Sequence, residues 1–161
     1  MKESMGLVPT MGIIIFALVL ISGYLAFSIN YSKAYKANSR IVNIIQKYDN
    51  KMNDSDTRKK IEEEIQKYLE EINYTASDQY TKTCANDGYT AVTSTGKGWC
   101  YKIISSGEGI ADRAANKDKD TERVYVKVKT YISIDVPIFN KIFSNLRFFS
   151  VDGATKPVLQ Q

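Results

Sequence analysis

Residues 6–29 read GLVPTMGIIIFALVLISGYLAFSI, and no charged side chain occurs from Ser4 to Ser32. A bilayer core of roughly 30 Å is crossed by about 20 such residues in helical form. No comparable run recurs in the 161 residues. The run exceeds the apolar core of a cleaved secretory signal, and the sequence after it, SINYSKAYKANSRIVNIIQKY, offers no small-residue processing site. It is read as an uncleaved anchor. Residues 1–6 are then a cytoplasmic N-terminus, 7–29 a transmembrane helix, and 30–161 an extracytoplasmic α+β domain. Gly12, Ala17, Ser22 and Gly23 are candidates for close packing against other helices in lipid.

The helix need not end at the membrane surface. Tyr31, Ala34, Asn38, Ile41, Ile45 and Tyr48 follow at three- and four-residue spacing, and neither Pro nor Gly interrupts Leu25–Lys51. That pattern predicts an amphipathic continuation, about 40 residues or 60 Å in all. Tyr24, Tyr31 and Tyr35 fall near the exit from the bilayer, where amphipathic rings favour the headgroup layer. A polar break at residues 49–57 offers Asp54, Ser55 or Thr57 as a cap. A second helix is expected over Arg58–Tyr74, with Ile61, Ile65, Tyr68, Leu69 and Ile72 as its stripe and Glu63–Lys67 as a surface pair. A short polar loop between two helices makes them antiparallel neighbours.

From Thr83 the helical period is lost. Asn86-Asp87-Gly88 reads as a turn, and Tyr89–Ser94 and Trp99–Ile104 as paired strands about Thr95–Gly98. Residues 105–121 read as a polar loop. Val124–Val136 alternates strictly, with Val, Thr and Ile on even positions and Tyr, Lys, Ser and Asp on odd ones, so one face is buried and one wet. Pro137 ends it. Ile138 to Leu146 repeats apolar residues at helical spacing, Arg147–Val151 reads as a last strand, Asp152-Gly153 as a turn, and Ala154–Val158 as an extended tail. The class is α+β: a long N-terminal transmembrane-plus-amphipathic helix, a second antiparallel helix and a small antiparallel β-sheet head.

Composition narrows the chemistry. The net charge is +4, from 22 basic and 18 acidic residues, too mild and too interleaved for nucleic-acid binding. There is no histidine, which removes His acid–base catalysis, His-activated nucleophiles and His-containing zinc sites. Glu62, Glu63 and Glu64 fan around a helix and cannot converge. Asn116, Asp118, Asp120 and Glu122 alternate like a calcium loop, but Thr121 and Lys127 replace its Gly and its final Glu. Gly96-Lys97-Gly98 lacks the spacing and hydroxyl of a phosphate loop. The sequons at Asn53 and Asn73 are discounted for a Lys-, Asn- and Tyr-rich composition of bacterial type. No enzyme, cofactor, metal, nucleic acid or small-molecule substrate is expected.

Cys84 and Cys100 are read as one disulfide formed outside the cytosol, against the alternative of two thiols in a cytosolic domain. The two topology signals disagree. Lys33, Lys36, Arg40, Lys47 and Lys51 would hold the second flank in the cytosol by the positive-inside rule. The disulfide argues for the opposite side, and is given the greater weight. Phe139, Phe143, Phe148 and Phe149 form the densest aromatic group, read either as core or as a patch for a membrane or partner subunit.

This order of parts resembles TadE-like pseudopilins of tight-adherence and related type IV filament systems. The likeness rests on the apolar-to-amphipathic helix, Gly6 to Tyr48, and on VYVKVKTYISIDVPIFNKIF followed by FFSVDGATK near the C-terminus. It implies a processing site at Gly6 and partnership with other pilin-like or secretion-system subunits as well as membrane lipid. Pilins carry an acid five residues into the mature helix, where this chain has Met11. The resemblance therefore implies a minor, accessory or unprocessed component rather than a major filament subunit. The alternative is a membrane-tethered ligand-binding or sensor domain acting without a filament.

Overall fold

A computed structural model describes residues 4–74, 80–92, 98–105, 123–133 and 148–159. The elements run α1 Ser4–Lys47, α2 Ser55–Glu71, α3 Tyr80–Asn86, β1 Thr90–Ala91, β2 Trp99–Ser105, β3 Arg123–Ser133, β4 Phe148–Ala154 and β5 Val158–Leu159. The expected α+β architecture is present, with α1 one unbroken helix of 44 residues.

Two left-handed residues end α1, Asp49 and Asn50, at φ 52° and 58°. Asn and Asp tolerate that region better than other non-glycine residues. The chain then reverses, and Asp54 caps α2 by accepting from the Thr57 amide at 2.9 Å. That bond satisfies a donor the helix itself cannot. The two helices are antiparallel. Lys33 donates to the Asn73 carbonyl at 2.8 Å, Arg40 lies 5.9 Å over the Tyr68 ring, and Lys47 reaches Glu64 at 3.1 Å. Between them Ile41, Ile45, Ile61, Ile65 and Leu69 are fully buried. Each such side chain is worth about 1.5–3 kcal/mol relative to exposure.

The sheet is an antiparallel meander, β1-β2-β3-β4, with β5 also on β3. Because Val124 faces Ser105 of β2 on one side, its pairing with Val158 puts β5 on the β4 side. The alternation of β3 holds: Val124, Val126, Val128, Thr130 and Ile132 are buried against α1. Tyr131 departs from it. This odd-position residue is also buried, because α3 covers that end of the opposite face with Tyr80 and Cys84.

Three expectations need correction. Tyr80–Asn86 is a helix, although the helical period was expected to be lost from Thr83; Cys84 therefore sits on α3. Asp152-Gly153 is no turn: β4 runs straight through it, pairing Gly153 with Val128. The tail is partly a strand, β5. The expected strand Tyr89–Ser94 is observed as Thr90–Ala91, residues 93–97 lying outside the described residues. Residues 106–122 and 134–147 also lie outside them, including the calcium-like stretch, the end of the alternating strand and the Pro137–Leu146 segment.

Candidate membrane and interaction surface

The N-terminal half of α1 carries the most unusual surface. Ile13, Phe16 and Tyr24 are 68%, 62% and 69% exposed, and the most apolar window is only 6% buried. A core helix of a soluble domain would have this window covered. The helix is long and apolar enough to cross a membrane. Gly6 lies in its first turns. Gly12 has open space around it, Ala17 and Ser22 are exposed, and Ser22 bonds internally to the Leu18 carbonyl at 2.7 Å. At 100° per residue Gly12 and Gly23 share a face, while Ala17 lies about 140° from Gly12. The four small residues do not make one stripe.

The C-terminal half is the opposite: a spine inside the head. Ala34, Ala37, Ile41 and Ile45 are fully buried. Two asparagines fasten it to the sheet. Asn38 donates to the Val151 carbonyl at 2.8 Å, Thr130 Oγ1 at 3.2 Å and the Val128 carbonyl at 3.3 Å. Asn50 donates to the carbonyls of Lys156 at 2.8 Å and Val124 at 3.1 Å. Buried amides of this kind are costly unless paired, so they define the seat of the helix as well as stabilising it. Gly153 makes the approach possible: a Cβ there would collide with Asn38 Oδ1 and come within 3.1 Å of Val42. Sequence reading placed Asn38 on the packing face but gave it no role. The one signal was a polar residue in an otherwise small and aliphatic stripe.

Where the halves meet, Phe149 of β4 lies 5.4 Å from Phe27 and 5.6 Å from Tyr31, ring to ring. Phe149 thus packs within its own chain. Phe148 begins the same strand, and Phe139 and Phe143 lie outside the described residues.

Cys84 and Cys100 are joined, with Cα atoms 6.2 Å apart, and tie α3 to β2. Nearby, Lys129 contacts Asp87 at 2.7 Å and Asp152 at 3.8 Å; the Asp87 bond leads in pushing its pKa up. Burial raises the Tyr74 hydroxyl well beyond its ordinary value, and its proton goes to the Tyr131 carbonyl at 3.1 Å. Glu64 is held below the usual carboxylate range, first by Lys47. Lys129 with Asp87 and Asp152, and Lys47 with Glu64, are ion pairs between elements of the head. Glu64 serves Lys47 and Tyr48, and Glu62 faces Arg58, so these two glutamates diverge. Among the described residues no group of three or more His, Cys, Asp or Glu could hold a metal ion.

One open groove of about 470 Å³ lies beside β1 and β2, lined by Met52, Asn53, Arg58, Gly88, Thr90, Tyr101, Lys102 and Ile103. Its charged members are basic. Comparison with known proteins adds no family: no family model, curated protein or solved structure matches this chain.

Proposed function

We propose that this chain is a single-pass, pseudopilin-like structural component of a bacterial Tad or type IV pilus-like appendage or secretion apparatus, with its N-terminus in the cytoplasm and its head outside. The observation that carries the reading is the division of α1. Half is an uncovered apolar rod and half is the spine of an α+β head, in one continuous helix. A rod of this kind assembles by lateral packing in lipid, while the head moves rigidly with it. The disulfide supports an oxidising compartment for the head, against the basic flank. With no acid in the apolar half, the role is accessory, and the activity is assembly, not catalysis.

The test is photo-crosslinking in intact cells from a photoreactive residue at Phe16 or Ile13, with N-terminal sequencing of the mature chain. Adducts with other single-span helices, and a mature N-terminus at Leu7, are expected. A chain that keeps Met1 and forms no helix adduct overturns the proposal. The basic groove beside β2 favours one second reading, a tethered domain that binds an acidic ligand without a filament. Binding of such a ligand by a chain that forms no helix adducts would support it.

A further inference from the structure

We infer that the head has no stalk: the corner of the sheet at Phe149 is seated in the headgroup layer of the membrane that α1 crosses. The inference rests on the anchor reading above and adds the position and occupant of a second lipid contact. Phe27 belongs to the uncharged run that ends before Lys33. From Ile29, the last apolar residue of that run, to Lys33 is four residues, about 6 Å of helix. The polar layer of one leaflet is roughly 5–8 Å deep. The Phe149 ring lies 5.4 Å from Phe27, so it cannot clear that layer while Phe27 remains at the hydrocarbon edge.

The packing leaves no spacer to lift the head. Among the side chains of α1, full burial begins at Ala34, five residues beyond Ile29. Lys33 is itself tied to Asn73, which brings the end of α2 to the same level. The three-ring cluster stays open on its outer side, with Phe27 40% and Tyr31 48% exposed despite their contacts with Phe149. In water this would extend an already large apolar surface. In a bilayer the amphipathic Tyr31 ring is favourable at headgroup depth, the two Phe rings are removed from water at the hydrocarbon edge, and the patch is continuous with the span. Lipid is therefore the occupant.

The experiment is tryptophan depth quenching in the full-length chain, reconstituted in phosphatidylcholine vesicles brominated at a shallow or a deep chain position. Trp99 is the sole tryptophan and fully buried, so wild type supplies a constant background. Phe149→Trp is expected to lose emission to the shallow lipid, Phe16→Trp to the deep lipid, and Tyr125→Trp, at the far end of β3, to neither. Ser150→Trp, an exposed position beside Phe149, reads the same corner without disturbing the core. Phe149→Trp and Ser150→Trp both behaving like Tyr125→Trp overturns the seating while leaving the anchor intact. An unquenched Phe16→Trp overturns the anchor itself.

Discussion

Replacing Gly153 by alanine adds one methyl group at the point where α1 lies closest to the sheet. The position has no positive φ, so backbone strain plays no part. In a strand interior alanine would ordinarily be the better residue by about 0.5–1 kcal/mol. Here the new Cβ collides with Asn38 Oδ1, and the Asn38 amide is held by its bonds to Val151, Thr130 and Val128. Either the amide turns and forfeits bonds worth about 0.5–1.5 kcal/mol each, or the helix lifts and opens the core. Overpacking of this kind costs about 1–3 kcal/mol, and set against alanine's intrinsic gain it leaves a net loss of about 1–2 kcal/mol. In an Asn38→Ala background the obstructing atom is gone, and Val42 at 3.1 Å is left of the three nearest atoms. The same Gly153→Ala change should then cost about 1 kcal/mol or less, a coupling within the usual range for residues in contact. The assay is denaturant unfolding in mild detergent, followed by Trp99 emission and read from the midpoint at unchanged slope. An equal cost of Gly153→Ala in both backgrounds would falsify the account.

Other outcomes follow from the same contacts. Cys84→Ser/Cys100→Ser should lose about 3 kcal/mol in the chain-entropy model for a separation of 16 residues, and the untreated wild-type protein should resist alkylation until reduced. Alkaline stability should fall as pH rises above the ordinary Tyr and Lys values of 10.0 and 10.5. Burial raises Tyr74 and Tyr131, and Asp87 raises Lys129; a group raised on folding holds its full contribution below the unfolded pKa and loses it as pH climbs to the folded one. Tyr74→Phe should shrink that alkaline loss, and an unchanged pH profile would sink the assignment. On the acid side, Glu64 and Asp54 are depressed by Lys47 and Thr57 respectively, so their contributions vanish as pH falls through the folded values. Lys47→Met should flatten the acid limb while changing neutral stability by about 0–1 kcal/mol, since the pair is largely exposed.

Much of the architecture was legible because it depends on local chemistry. An uncharged run, an uninterrupted 3.6-residue period, an Asp cap and a strict two-residue alternation each set their element without reference to the rest of the chain. Hence α1, α2 and β3 lie close to where the residues place them. The mistaken readings share a cause. Tyr80–Asn86 is too short for its period to stand out, and it is helical with Tyr80 and Cys84 packed on Cys100 and Tyr131. Asp152-Gly153 has turn chemistry, yet continues a strand, because its glycine answers Asn38, which is 115 residues away in sequence.

The amino-acid sequence by itself determined an apolar rod of membrane length, a head that is helical first and β-rich later, and a chemistry without histidine. Only the tertiary structure decided that the second half of the rod is the interior of the head, that two asparagines and one missing Cβ define its seat, and that Phe149 turns back onto the first half. The physical reason is that periodicity reports which side of a helix is buried, whereas what buries it depends on contacts between residues far apart in the chain.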